Sequence, residues 1–355
     1  MPSIRDSGFY QGQHFIPHPL PPTNPDLIMT NQIIENYGKA MHMLGSVNEL
    51  LRRLPNKERF LKAYLIKEAM LSSEIEGIYT TTTELFMDAP PASKETQLVQ
   101  NYINALNAGI QMIRDDQYPI VSRVLNHTHA CLLKEHPFAG VLRTQQVRVG
   151  HLLPAPCQDL PQLMRDLEIF INDDKTILPL IKAGLAHVQF ETIHPYFDGN
   201  GRIGRLLILL ILIKEGLLDE PLIYISYFFK KNHHQYYEKL DSVRQKGDFE
   251  GWIVFYLEAI YAAAKDACVR AKAIETLEES LKHVVDVSIL TILFDIPTFT
   301  ITQLSAKFGK SYSATKTIVD SLIAKKIVAQ ATQSQRNRYF VFTAYLEILE
   351  QDYID

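Results

Sequence analysis

The sequence predicts a mainly α chain: a helical bundle interrupted by one small β-hairpin, followed by a separate α+β module at the C-terminus. Three observations carry this. From Ile28 to about Ala264 apolar residues recur at three-to-four spacing, most clearly from Leu98 to Ile113 and from Leu178 to Ile193. The segment Gly140 to Pro156 breaks that period: Val147, Val149 and Leu152 partly alternate with polar residues, and Pro154 and Pro156 close it. Beyond Leu277, helical and alternating segments follow one another closely.

Taken in order, residues 1–27 are rich in Pro and polar residues and lack the apolar stretch of a secretory signal, so they are expected as an extended arm over the surface. Residues 28–95 are expected as an N-terminal helical segment. Within it, Leu61 to Gly77 has helix formers and ends at a Gly, the usual C-terminal stop. Asp88-Ala89-Pro90-Pro91-Ala92-Ser93 marks a break. Residues 96–265 form the expected central bundle with its hairpin, and 277–355 the last module.

At 355 residues the chain is expected to hold two or three domains. Its 46% hydrophobic and 21% charged content is that of a soluble globular protein. A net charge of −4 argues against non-specific coating of nucleic acid. Cys131, Cys157 and Cys268 have neither metal nor disulfide spacing, which suits a reducing cytoplasm, the expected location. The longest apolar run, Leu206 to Ile213, falls far short of the roughly twenty residues a membrane span needs, so no membrane partner is expected.

The chemistry concentrates in one run: His194-Pro195-Tyr196-Phe197-Asp198-Gly199-Asn200-Gly201-Arg202-Ile203-Gly204-Arg205. His194 can accept a proton near neutral pH, with Pro195 restricting its exit from the preceding segment. Asp198 is a hard oxygen ligand of the kind Mg²⁺ shares with water and phosphates. Gly199 and Gly201 allow close backbone approach to an anion, and the apolar helix expected from Ile203 puts Gly-Asn-Gly at a helix N-terminus, where free N–H groups favour phosphate. Arg202 and Arg205, three apart, share a face and can grip neighbouring phosphates. A calcium loop would need Asp or Asn and then Gly where Arg202 and Ile203 stand. Gly309-Lys310-Ser311 is no Walker loop either, because Leu304 occupies the position of its first Gly.

This run resembles the signature of the Fic (Fic/Doc) proteins, His-Pro-Phe-x-Asp-Gly-Asn-Gly-Arg-x-x-Arg, with Tyr196 in place of the Phe. The resemblance implies a helical Fic core and transfer of AMP from ATP to a hydroxyl side chain of a protein. It implies His194 as base, Asp198 as the Mg²⁺ ligand, and Gly199, Asn200, Gly201, Arg202 and Arg205 as the phosphate-binding set. Upstream, Ser72, Glu76 and Gly77 fit the inhibitory Ser/Thr-x-x-x-Glu-Gly/Asn motif of the family, with Ser72 and Glu76 on one helical face. Glu76 would pair with Arg205 and displace the terminal phosphate, so inhibition would be built into the chain.

In the same family the Gly140 to Pro156 region is a flap that pairs strand to strand with the target, which assigns Val147, Arg148 and Val149 to the target side. The aromatic-rich stretch Tyr224 to Tyr237 borders the adenine pocket, making Asn232 and Tyr236 candidate ATP contacts. Neighbouring His233 and His234 point in different directions on a helix and have no partner at zinc spacing.

The last module reads as helices at Val284 to Phe294, Thr302 to Phe308 and Ser313 to Lys325. Strands follow at Ile327-Val328-Ala329 and Arg338 to Phe342, around a polar tip, Gln333-Ser334-Gln335-Arg336-Asn337. It resembles a winged helix with Ser313 to Lys325 as recognition helix. Between Phe299 and Phe340 seven Lys or Arg face Asp320 alone, a basic face that leaves DNA binding open beside dimerisation and target docking. The leading expectation is an ATP- and Mg²⁺-dependent protein adenylyltransferase autoinhibited by Glu76, acting on a target protein or itself. The alternatives are a hydrolase removing AMP, and a nucleotide-sensing winged-helix regulator.

Overall fold

The computed structural model describes residues 6–23, 25–53, 57–87, 93–331 and 338–351. Of the expected break at 88–93, residues 88–92 lie outside them, as does the polar tip at 333–337. The described residues are mainly helical, with two small antiparallel sheets among them.

Its centre is a pair of helices, α7 (Pro179–Ile193) and α8 (Asn200–Lys214), joined by the His194–Gly199 loop. Every residue of α7 from Leu180 onward is buried, and so is nearly all of α8. A helix apolar on all sides belongs in the middle of a protein, and the run Leu206 to Ile213 puts α8 there. Around this pair lie α1 (Asn31–Arg53), α2 (Lys57–Ile75), the short α3 (Thr82–Phe86), α4 (Lys94–Arg114), α5 (Ser122–Leu132) and α6 (Leu160–Asp173). The bundle closes with α9 (Ile225–Lys231), α10 (His233–Lys246) and α11 (Phe249–Leu281). Among the described residues no helix is long and apolar enough to cross a membrane.

The N-terminal residues form a hairpin where an extended arm was expected. β1 (Gly8–Gln11) pairs antiparallel with β2 (His14–Pro17) across a turn in which Gly12 takes φ 63°. Burial of Phe15 and Ile16 anchors it. Conversely, the expected 140–156 hairpin contracts to one bridge, in which Val149 and Leu152 exchange N–H···O bonds of 2.9 Å around Gly150 and His151. Pro154 and Pro156 have no N–H to extend that ladder. Its onward strand instead meets β2, whose Phe15 N–H donates to the Leu153 carbonyl at 2.9 Å.

Residues 266–276, left between the two expected units, are helical and belong to α11, which has neither Gly nor Pro after Gly251. Beyond it come α12 (Val287–Asp295), β3 (Thr298–Phe299), α13 (Ile301–Phe308), α14 (Tyr312–Ala324), β4 (Val328–Gln330), β5 (Phe340–Phe342) and α15 (Thr343–Glu350). The strands make one antiparallel sheet in the order β3-β5-β4. This module sits on α2. Arg59 reaches Asp295 at 2.9 Å and covers the Phe294 ring, and Lys67 donates to the Leu349 carbonyl at the end of α15.

Candidate active site

His194 caps α7 in the left-handed region, φ 50° and ψ 61°, and its N–H donates to the Phe190 carbonyl at 2.9 Å. A non-glycine residue there costs about 1–2 kcal/mol unless its surroundings hold it. Arg143 does so. Its Nε donates to the His194 carbonyl at 2.8 Å, and its Nη2 to the carbonyls of Ala155 at 2.6 Å and Ile193 at 3.4 Å. Its backbone N–H reaches the Pro195 carbonyl at 2.9 Å. One buried guanidinium thus satisfies the orphan carbonyls where α7 ends and sets its charge at the negative end of the helix.

The rest of the loop is locked from within. The Asn200 side chain accepts from the Tyr196 N–H and donates to the Tyr196 carbonyl, both at 2.8 Å. Tyr196 stacks on His129 with ring centres 3.8 Å apart, and its hydroxyl donates to Asn126 Oδ1 at 2.8 Å. The Gly140 N–H donates to His129 Nδ1 at 2.9 Å, which leaves the proton on Nε2 for the Asp198 carbonyl, also at 2.9 Å. Burial lowers His129 to about 4, so the neutral ring persists. Asn200, expected as a phosphate ligand, spends its side chain on the loop and keeps only its backbone N–H for an anion.

Gly199 takes φ 78° at the turn into α8, where the first N–H groups of that helix are free. Arg205 is engaged through Nε and Nη2: Nε donates to Ser72 Oγ at 2.9 Å, and Nη2 to the Ser72 carbonyl at 2.8 Å and to Glu76 Oε1 at 2.7 Å. Glu76 also lies against the start of α8, because a Cβ on Gly201 would stand 2.3 Å from the same Oε1. Arg202, 2% exposed, is the reverse case. Its Nε and Nη1 have no partner, and the nearest acid, Asp198 Oδ1, is 3.9 Å from Nη2. The Asp198 carboxylate is mostly exposed and accepts from the Gly199 N–H at 2.6 Å. It supplies one hard oxygen. Among the described residues no three His, Cys, Asp or Glu cluster to hold a metal, so Mg²⁺ here would take its other ligands from phosphate and water.

Burial, followed by the positive charges of Arg244 and Arg143, brings His194 down to about 4; the Glu191 carbonyl and Glu76 oppose this. The imidazole is therefore neutral at pH 7. Burial raises Glu191 to about 7, and Arg205 pulls against it. Arg244 is fixed by Thr192 Oγ1 at 3.2 Å and Asp241 at 2.7 Å.

Of the two expected adenine contacts, Asn232 caps α9 by donating to the Phe228 carbonyl at 3.0 Å. Tyr236 is buried, its ring stacked on Phe229 and its hydroxyl 2.9 Å from His187 Nε2. Tyr237, one residue on, stays partly exposed and senses Glu76, Arg205 and Glu191; burial raises it to about 12, with Glu76 next in effect. Val147 and Val149 are half-buried and Arg148 is exposed on the loop beside the Val149–Leu152 bridge. Sequence reasoning missed Arg143, His129, Glu191, Arg244 and Tyr237. His129 alone carried a signal, as a polar residue in register with Val124, Leu125 and Leu132 on the buried face of α5.

Residues 34–111 match the family model described as Fic/DOC family N-terminal, and residues 119–212 the Fic/DOC family model. The chain is similar to the protein adenylyltransferase Fic of Culex quinquefasciatus, 34% identical over 238 residues covering 62% of this chain and 44% of that protein. It is also similar to a probable protein adenylyltransferase of Aquifex aeolicus, 29% identical over 171 residues covering 46% of this chain and 52% of that protein. The chain spans about half the length of these two relatives. A solved Fic family protein from Desulfovibrio desulfuricans shares the fold with a TM-score of 0.59 at 20% identity, covering 89% of this chain and 97% of that one.

Proposed function

The chain belongs to the Fic/DOC family, and on that premise we propose that it is a protein adenylyltransferase, moving AMP from ATP to a hydroxyl of a target protein or of itself. The observation that carries this reading is the pairing of a neutral, half-buried His194 with the free N–H groups that open α8, across a loop locked by Arg143, Asn200 and His129. In the reaction the target oxygen bonds to the α-phosphorus while the bond from that phosphorus to the bridging oxygen breaks. The electron pair leaves on pyrophosphate and the hydroxyl proton goes to His194. The Gly199–Gly201 amides receive the α-phosphate, and Arg202 and Arg205 the phosphates beyond it. Asp198 is the residue that would hold Mg²⁺, whose charge would offset that of the phosphates.

Glu76 restrains this machinery, because the 2.7 Å pair with Arg205 occupies the guanidinium that the terminal phosphate requires. The loop carrying Val147 to Val149 registers the target by main-chain pairing. The C-terminal module, read as a winged helix, exposes Lys307, Lys310, Lys316, Lys325 and Lys326 toward a macromolecular partner or a second copy of the chain.

The test incubates wild type, Glu76→Gly and Glu76→Gly/His194→Ala with Mg²⁺, cell lysate and ATP labelled at the α- or the γ-phosphate. Protein label from the α position only, increased in Glu76→Gly and reduced by roughly 10²–10⁴ without His194, is the expected result. Label from the γ position would make the enzyme a kinase. No label in any variant would favour AMP removal or nucleotide sensing.

A further inference from the structure

Arg205 stands at one end of a buried polar chain that the transfer chemistry leaves unused. Its Nε donates to Ser72 Oγ at 2.9 Å, the Ser72 side chain is hydrogen-bonded to the Tyr102 hydroxyl, and that hydroxyl donates to Glu68 Oε1 at 3.1 Å. All three partners are buried, Glu68 at 1% exposure. We infer that Glu68 is a positioning residue: through Tyr102 and Ser72 it holds the Arg205 guanidinium in place for the terminal phosphate of ATP once Glu76 has given way. This rests on the adenylyltransferase reading and deepens it with two residues outside both the loop and the inhibitory motif.

Donors and acceptors in the chain run one way. Ser72 Oγ accepts from a guanidinium, which has no acceptor of its own, so the Ser72 proton goes to Tyr102. The Tyr102 hydroxyl receives it and sends its own proton to Glu68. A carboxylate that accepts at both oxygens closes the chain. From α9, Ser226 donates its hydroxyl to Oε1 and its backbone N–H to Oε2, the latter at 3.2 Å. Each hydroxyl is thereby fixed in rotation, and with it the lone pair that Ser72 turns toward Arg205.

A carboxylate buried this deeply is costly unless charge and hydrogen bonds offset it. Burial raises Glu68 to about 7, against the two Ser226 bonds, the charge of Arg205 and the Tyr102 bond. Glu68 and Ser72 are four apart on α2, and Glu76 follows four residues later. The segment thus offers Arg205 two carboxylates, Glu76 directly at 2.7 Å and Glu68 through two hydroxyls. Displacing Glu76 frees a donor on Nη2 for a phosphate oxygen, while Nε stays tethered to Ser72.

The test measures ATP and AMP binding by calorimetry with Mg²⁺ in the full chain carrying Glu76→Gly, then with Tyr102→Phe, Glu68→Gln or both added. Phe keeps the buried ring and Gln the size of the acid, and thermal melting checks that each variant folds. The two changes lie on different helices, so each reads the chain on its own if the other disturbs folding. ATP affinity should fall about tenfold with either change. AMP affinity should hold, because AMP has no terminal phosphate to meet Arg205. Both changes together should cost no more than one, as for two links of one chain. In transfer assays KM for ATP should rise by the same factor, with kcat unchanged to within about twofold. Unchanged ATP affinity, equal losses for ATP and AMP, or fully additive losses would overturn the positioning role. So would a Glu76→Gly protein that binds ATP no more tightly than AMP. Calorimetry needs no turnover, so an ATP-selective loss in a chain that transfers no AMP would sink the proposed function and leave this role standing.

Discussion

Glu76 Oε1 accepts a 2.7 Å hydrogen bond from Arg205 Nη2 and simultaneously fills the space that a side chain at residue 201 would need. One carboxylate therefore touches both the guanidinium and the helix start that the phosphates of a nucleotide would use. Glu76→Gly removes both contacts, while Ser72 still holds Arg205 through Nε and Nη2. The release of a charge-assisted contact should raise AMP transfer about tenfold to a hundredfold. Incorporation of α-labelled AMP, with thermal melting as the control for folding, checks it.

Gly201→Ala separates activity from stability. Ala is favoured over Gly within a helix by about 1 kcal/mol, yet its methyl would project into the space Glu76 occupies and the proposed phosphate site adjoins. In the Glu76→Gly background the added methyl should leave the denaturation midpoint equal or higher. It should lower kcat/KM for ATP at least tenfold, since it obstructs close backbone approach to an anion.

Arg143→Lys tests the clamp. Lysine keeps the charge but cannot fork to the His194 and Ala155 carbonyls together, at 2.8 and 2.6 Å. Unfolding free energy should fall by about 2–4 kcal/mol, the range for breaking a buried charged network. The rate should fall about tenfold or more as the His194 ring loses its fixed orientation. Urea denaturation and single-turnover labelling read the two effects separately.

The pH dependence follows from three imidazoles, two buried and one half-buried. His194 and His129 stand at about 4 and His187 at about 3, against 6.5 in an unfolded chain. Below pH 6.5 the unfolded chain takes up protons that these rings refuse, so their contribution to stability is complete above 6.5 and drains away as pH falls toward 3–4. Glu68 and Glu191, both raised to about 7 by burial, act in the opposite sense: their contribution is complete below pH 4.5 and is lost as pH rises through 7. His129→Asn should therefore flatten the acid limb of a plot of stability against pH. For the same reason, the acid limb of the transfer rate in Glu76→Gly should lie near pH 4 rather than 6.5. An acid limb at the ordinary imidazole value would show that His194 titrates as a solvated group.

The loop was legible because its chemistry is contiguous: base, carboxylate, glycines and arginines occupy twelve successive positions. Ser72 and Glu76 were legible because a helix puts residues four apart on one face, and both reach Arg205. The pairings of Arg143 and His129 were not. Their partners His194 and Asp198 lie 51 and 69 residues away, and no local period encodes such a pairing. Tyr236 and Tyr237 differ sharply in exposure, since a single residue turns a side chain by about 100° and separates the buried ring from the partly exposed one. The N-terminal hairpin escaped notice because its polar and Pro-rich composition masked the buried Phe15 and Ile16. The side-chain partners of Asn200 were not legible: an amide that suits phosphate suits a loop's own backbone equally well.

The segment from Arg59 to Glu76 runs roughly 25 Å at the rise of an α-helix. Its near end is riveted to Asp295 and Phe294, its middle to the tail of α15 through Lys67, and its far end to Arg205. α2 is thus a connecting rod with the C-terminal module on one bearing and Arg205 on the other. A torque applied to that module has no slack loop in which to dissipate before it reaches the Glu76 carboxylate.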